Sequence, residues 1–465
     1  MKTERDSTQA GAGLPAGGEL ISIYVPDQHP LLQLKEALDW EAIRAVMIEH
    51  WRQAGKNVSG GRGVAWPVDL YVPLLVLMWV KAFHARQMEE YLNENVVARR
   101  FLGLSAETKV QIRDHANIAR ADAALGAEGK AAVNRMVISV AQEHGFAGAE
   151  ILSSDTTVQE PAIGYPNEPG SLKGLAERVG RALKKLQDRG VEGARAGIEQ
   201  TREIIKKVKE HHLFAKTKEE KKRLLRLMVE QTEVLIKRTK EIIGRVSARC
   251  GSLKQAAKAK LQRMVEVGEG LLPQIKSWLR TGKVAREKII HAGIVAARAI
   301  VKGKRRVKFG MKWLINRVPG GYVFGRRVEA RADENKMPEE GLKDYREVFG
   351  AEATPQMVVY DRGASLPAAA ESLQQEGVEK VGIPPRGQGE WMVGEQDQKE
   401  VKSQRGKTEG SIGRLKSRKY GFSHRQERSV ETQDAAGQRA IVSVNLNTLM
   451  RDLVGQAKAA QTMAG

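Results

Sequence analysis

Between about residues 30 and 145 the apolar positions recur every three or four residues, the spacing of helices with one buried face. LLVLMWVKAFHARQMEEYLNE is amphipathic after an apolar start, and NVVARRFLGLS and HANIARADAALG read as shorter helices. The longest apolar run, LYVPLLVLMWV at 70–80, is too short for a bilayer, which needs about 20 residues. It reads as a buried helix. Beyond residue 145 the period changes. AEILSSD is a short apolar run ending in Asp155, and QMVVYDRG another ending in Asp361; both read as strands. GGYVFGRRVEARAD, at 320–333, alternates like a strand or hairpin, and VEKVGIPP is a further strand. MPEEGLKDYREVFG and SLPAAAESLQQEG read as helices, a helix surrounds Glu409, and AIVSVNLNTLMRDLVGQAK closes the chain as an amphipathic helix. Strands alternating with helices predict an α/β sheet, preceded by an all-α region.

A long helical stretch interrupts that sheet. From 171 to 310 there is one proline, Pro273, among Leu, Ile, Lys, Arg, Glu and Gln. Leu175, Val179, Leu183 and Leu186 fall on one predicted stripe, and Leu224, Leu227, Met228, Val234 and Leu235 on another. The organisation expected is a disordered tail at 1–20, helices at 30–145, a sheet domain at 146–170 and 311–430, a helical or coiled-coil insert at 171–310, and a terminal helix at 431–465.

Charge sharpens this division. The insert holds 37 Lys and Arg against 14 Asp and Glu, a net of +23, while the whole chain carries +21. The basic character therefore belongs to the insert. It implies an anionic partner, nucleic acid or an acidic membrane surface. The densest run, KGKRRVK, offers Lys302, Lys304, Arg305 and Arg306 to phosphates, which need no sequence-specific contact. A solvated helical arm is the competing reading. In the N-terminal helices a helix-turn-helix reader would use Arg113, His115, Asn117 and Arg120; a plain bundle is the alternative. A single cysteine, Cys250, excludes an internal disulfide framework. With no apolar core near residue 1, a cytoplasmic protein is expected.

Two aspartates placed at strand ends lie where open α/β sheets gather ligands. With a third carboxylate they suit divalent metal, since Mg²⁺ prefers carboxylate oxygens and keeps waters for substrate phosphates. RGKTEGSIGRLK, at 405–416, supplies such an acid. At about 100° per residue Arg405, Glu409 and Lys416 fall within about 40° of one helix face. Glu409 then holds metal while Arg405 and Lys416 hold flanking phosphates. An ordinary Arg–Glu surface pair, at a few tenths of a kcal/mol, is the bland alternative. Gly406, Gly410 and Gly413 each weaken a helix by up to about 1 kcal/mol. Either they admit a close backbone or the helix is short.

These residues resemble the DDE transposases of bacterial insertion sequences, whose signature is Y-x-x-R-x-x-x-E-x-x-x-x-x-x-K. Arg405, Glu409 and Lys416 fill its last three positions, and Lys402 stands where the tyrosine belongs. DTTVQEPAIGYPNEPG resembles the segment around the family's first aspartate and VVYDRG the second. The resemblance covers roughly 35–455 and is weakest in the insert. It implies an RNase H-like catalytic domain with Asp155, Asp361 and Glu409 as catalytic acids and ligands of Mg²⁺ or Mn²⁺, two ions in all. It implies double-stranded DNA as partner, a homodimer or larger assembly on DNA, and association with the nucleoid. Arg405, Lys416, Lys402, Arg414, Arg418 and Lys419 become the DNA contacts beside the acids.

Alternatives stay open at this point. Asp155 and Asp361 could be turn residues. Glu390, Glu395 and Glu400 compete for the third acid. Trp391 either stacks an unpaired base or packs, and His424 takes no catalytic role. A transposase-derived DNA-binding protein that no longer cuts, an RNase H-like nuclease, and a basic coiled-coil protein are the competing functions. No P-loop, zinc-finger spacing or Ser/His/Asp elbow is present in the sequence.

Overall fold

The computed structural model describes residues 25–58, 66–104, 115–247, 251–301, 307–364, 366–385, 389–423 and 429–464. The expected tail at 1–20, Arg113, the cluster Lys302, Lys304, Arg305 and Arg306, and His424 lie outside these residues.

The chain opens with helices α1 (Pro30–Ala37), α2 (Trp40–Gln53), α3 (Val68–Lys81), α4 (Ala85–Glu94), α5 (Val96–Phe101), α6 (His115–Ala124) and α7 (Gly126–Glu143). Short polar side chains start several of them, satisfying amides that have no intrahelical partner. Asp39 accepts from the Ala42 amide ahead of α2, and Asn95 from the Ala98 amide ahead of α5. As its composition predicts, α3 is a core helix, with 74–80 wholly buried. No single helix among the described residues is long and apolar enough to cross a membrane.

Strand β1 (Ile151–Gln159) follows, and then the insert: α8 (Glu168–Gln187), α9 (Ala194–Leu213), α10 (Lys218–Arg245) and α11 (Ser252–Thr281). These close into a four-helix bundle with its own core, in place of the hairpin or coiled-coil arm read from composition. Leu175, Val179, Leu183 and Leu186 are buried as expected. On α10 the buried stripe is Leu225, Met228, Val229, Thr232, Leu235 and Ile236, whereas Leu227 and Val234 are exposed. The true stripe is turned by about one residue from the one read in the sequence, and it includes Thr232 and Thr239. Their hydroxyls donate to the carbonyls of Met228 and Leu235, so burial leaves no orphan donor. Thr217 and Glu220 form a reciprocal cap that starts α10.

The insert returns to the main body earlier than the expected 310. Ile290, Ile294 and Ala297 already belong to the core that holds Trp313 and Phe422. β2 (Arg298–Ile300), β3 (Lys308–Arg317), β4 (Val323–Arg327), α12 (Met337–Phe349), β5 (Met357–Val359), α13 (Leu366–Gln375), β6 (Lys380–Gly382), α14 (Glu395–Leu415) and α15 (Val430–Ala464) complete the chain. The sheet runs β2-β3-β1-β5-β6, with β4 also on β3. β1 is antiparallel to β3 and parallel to β5, and β5 is parallel to β6. The strand β3 is not legible as an alternation, because Gly310 to Arg317 is buried on both faces.

The expected separation of N-terminal helices, sheet and terminal helix gives way to one shared core. It runs from Leu31 through Leu152, Leu314 and Val358 to Leu453. α15 packs along α7, α3 and α1, and also on β4. At this junction Asp122 accepts from the Trp79 indole at 2.8 Å and faces Lys130 and Arg439. Burial alone would raise the Asp122 pKa, but Lys130, Arg439 and the indole hold it below the usual carboxylate value. Lys130 is only 1% exposed, so its charge depends on this acid. Asp122→Ala is expected to lower stability by about 3–5 kcal/mol, the cost of stranding a buried charge. Denaturant unfolding of the two proteins measures it.

Candidate active site

β1 is unusual in being both polar and buried. Its side chains alternate between two faces. On one, Ser153 accepts from the Thr408 hydroxyl of α14 at 2.7 Å; on the other, Ser154 donates to Asn316 of β3 at 2.6 Å. Asp155 shares the α14 face with Ser153. It stands in the middle of the strand, not at its end as the apolar run suggested. The β-branched Thr156, Thr157 and Val158 carry the strand on to Gln159.

β5 alternates in the same sense. Met357 and Val359 pack with Val401 of α14, and Val358 and Tyr360 enter the opposite core. The parallel register pairs Ile151 with Met357, Leu152 with Val358 and Ser153 with Val359. β5 ends at Val359, so Asp361 lies in the turn beyond it, two residues past the Ser153–Val359 pair, as Asp155 is two residues past Ser153 on β1. Both aspartates are partly buried. Asp361 also caps its own turn, accepting from the Gly363 amide at 2.7 Å. A β-carbon at Gly363 would stand 2.6 Å from that oxygen, so the turn holds a glycine for space.

α14 crosses the sheet above these acids. Its buried residues are Val401, Gln404, Thr408, Ile412 and Leu415, one face at helical spacing. Val401 meets β5 and β6, Thr408 meets β1, and Ile412 and Leu415 join the core with Trp313 and Ile315 of β3. Ile315 is the register partner of Asp155. Glu409 therefore leaves the helix between contacts that bracket Asp155, and its side chain is exposed. Arg405 and Lys416 share that flank, both half-buried. Glu400 lies on the other flank, accepting from Gln404, which itself accepts from Arg317. Glu395 and Glu390 are exposed, the first in the opening turn of α14 and the second ahead of it. Among the described residues no three His, Cys, Asp or Glu side chains converge closely enough to hold a metal ion. The two aspartates each stand two residues past the β1–β5 pairing, and among the described residues no third acid completes a cluster with them.

A partly buried network ties the strands that lead to the acids, and sequence reasoning did not find it. Glu334 accepts from the Tyr360 hydroxyl at 2.6 Å and from Thr156 at 3.4 Å, and pairs with Lys312 at 2.8 Å. One carboxylate thus ties the residue after Asp155 to the residue before Asp361. Burial pushes the Tyr360 phenol far above its ordinary pKa, and Glu334, Asp361 and Asp155 add to the effect. The available signal was Lys312, a lone cation in the apolar stretch GMKWLIN.

Residues 19–123 match the Transposase domain (DUF772) family model. The match supports a transposase role for the chain. No curated protein and no solved structure matches it. The matched segment covers α1 to α6 and stops short of β1, so the acids of this transposase candidate rest on geometry alone.

The cations proposed for DNA divide into two kinds. Arg405 and Lys416 flank Glu409, Arg418 is exposed, and Lys402 extends over the Trp391 ring at 5.9 Å. Trp391 itself packs partly against Met357, Val359 and Val401, which favours the packing role. Arg414 instead donates to Thr448 and covers Tyr420, and Lys419 donates to Asn447, so these two fasten α14 and the following turn to α15. Among the N-terminal candidates, His115 pairs with Glu89 and Asn117 accepts from Arg120.

The glycines of α14 neither shorten it nor admit a neighbour. The helix is 21 residues long, and a β-carbon at Gly406, Gly410 or Gly413 would meet nothing within 4 Å. Gly410→Ala is therefore expected to raise stability by about 0.5–1 kcal/mol through helix propensity. A higher midpoint of thermal unfolding checks it; a lower one shows that the position is not open.

Proposed function

We propose that the chain is a DDE transposase with an RNase H-like catalytic domain. It cuts the ends of an insertion sequence and joins them to target DNA. The observation that carries this reading is the parallel β1–β5 pairing, with Asp155 and Asp361 each two residues past the Ser153–Val359 pair and α14, which bears Glu409, packed on the same strands. The match of the N-terminal helices to a transposase domain supports it independently.

The three acids offer only carboxylate oxygens, a donor set that suits Mg²⁺ or Mn²⁺. Asp155 and Asp361 would hold the ions, with the exposed Glu409 as the third carboxylate. Bound there, two ions would supply activation of the attacking oxygen and stabilisation of the leaving one. Arg405 and Lys416 hold the phosphates on either side of the reacting one. Water attacks a phosphodiester at the element's end and releases a 3′-hydroxyl. That hydroxyl then attacks a phosphodiester of the target, and one ester replaces another. Handling two ends together calls for a homodimer or larger assembly on DNA.

The test is cleavage and strand transfer on DNA carrying the sequences that flank the gene, with Mg²⁺ or Mn²⁺. Asp155→Asn, Asp361→Asn and Glu409→Gln are expected to bind this DNA as the wild type does. Each should lose cleavage and joining by on the order of 10³-fold, the loss of several kcal/mol of charge stabilisation. Full activity in Glu409→Gln removes that residue from the site. Cutting without joining assigns a nuclease, and binding without cutting under either metal assigns a non-catalytic DNA-binding protein.

A further inference from the structure

The insert and the terminal helix enclose a groove of about 790 Å³. Arg178, Arg181 and Lys185 line it from α8, and Lys260 and Arg263 from α11. On each helix these residues are three or four apart, which places them in one row. Ser429, Glu431 and Thr432 form the opposite wall. Five cations thus face a single carboxylate. Arg181, Lys185, Lys260 and Arg263 are exposed. The bridge across the groove, Arg263 to Glu431 at 3.0 Å, has both side chains about 60% exposed. Exposed pairs of this kind contribute about 0–1 kcal/mol, so an incoming polyanion can displace it.

We infer that this groove binds the sugar–phosphate backbone of duplex DNA, an inference that rests on the transposase reading. Charge selects the partner: a row of guanidinium and ammonium groups on a rigid bundle meets phosphates without reading bases. From Arg178 to Lys185 the row runs about 10 Å along the helix, roughly three base steps of a duplex. Position selects it too. The β1 face that carries Asp155 also carries Gln159, whose side chain donates to the Gln433 carbonyl of α15 at 2.9 Å. Gln433 adjoins Glu431 and Thr432 of the groove wall. Four residues of strand, about 13 Å, separate Asp155 from that end. A duplex seated in the groove therefore has its flank on the insert while a neighbouring phosphate lies near the acids. This gives the insert a task that its own fold does not require.

The experiment measures binding of a random-sequence duplex of about 30 base pairs to the full chain, without divalent metal, between about 50 and 200 mM salt. Because no cutting is involved, failure of the catalytic reading leaves the result intact. Arg181→Glu with Lys185→Glu is expected to weaken binding at least tenfold and to lower the salt slope by about 2, near 0.9 for each phosphate no longer neutralised. Glu431→Gln, which removes the carboxylate of the lining, should strengthen binding. Lys221→Glu with Lys222→Glu, exposed on α10 outside the groove, serves as the control and should change affinity less than threefold. Circular dichroism and melting curves report whether each variant folds. Unchanged affinity in the first pair, an equal loss in the control pair, or weaker binding by Glu431→Gln overturns the inference. So does tighter binding to acidic-lipid vesicles than to DNA.

Discussion

The structure depends on satisfying the buried polar side chains of one strand. β1 places Ser153, Ser154, Thr156, Thr157 and Gln159 out of water, and each unpaired buried group costs about 1–3 kcal/mol. The partners come from different elements. Thr408 of α14 meets Ser153, Asn316 of β3 meets Ser154, Glu334 meets Thr156, and Trp313 and the Gln433 carbonyl meet Gln159. Elements that an apolar strand would let slide are thereby keyed to one register. The carboxylate of Asp155 stands within this row, only partly buried, on the face toward α14.

Two consequences follow for the site. Asp155 is placed by backbone register within β1, and Asp361 by the turn after β5, where it accepts from the Gly363 amide. The strands that lead to the pair are also tied together, as Lys312 neutralises Glu334 and Glu334 holds both Tyr360 and Thr156. The rest of the molecule divides by core. The N-terminal helices, one sheet face and α15 share a single apolar interior, so the segment matching a transposase domain is built into the body that carries the acids. The four-helix bundle keeps its own interior and meets the body through its flanks.

Much of this was legible in the sequence. The apolar run at 70–80, the helices near residues 96, 115, 337 and 366, the strands before Asp361 and at 380, and the terminal helix all stand where periodicity put them. Asp155 and Asp361 were singled out by a strand pattern, and the strands that precede them pair in parallel. What escaped has physical causes. β1 outruns its apolar start because hydroxyls paired inside the fold are as good as methyls there. β3 is buried on both faces and shows no alternation. Glu334 is one acid among many until tertiary structure brings Lys312 and Tyr360 to it. On α10 apolar residues stand on neighbouring positions, Leu224 beside Leu225, Val234 beside Leu235, so periodicity alone did not fix which of two adjacent stripes is buried. The resemblance to DDE transposases named the acids and the Arg405–Glu409–Lys416 spacing, and the strand register is a separate, physical reason to look at two of them.

The central proposal is that Asp155 of β1 and Asp361, in the turn after β5, form one cation site. The most direct measurement is anomalous diffraction from crystals of the protein soaked in Mn²⁺. The account predicts a peak between these two carboxylates, absent when Asp155 is replaced by Asn. A well-ordered site with no Mn²⁺ between them, or side chains directed to opposite faces of the sheet, contradicts it.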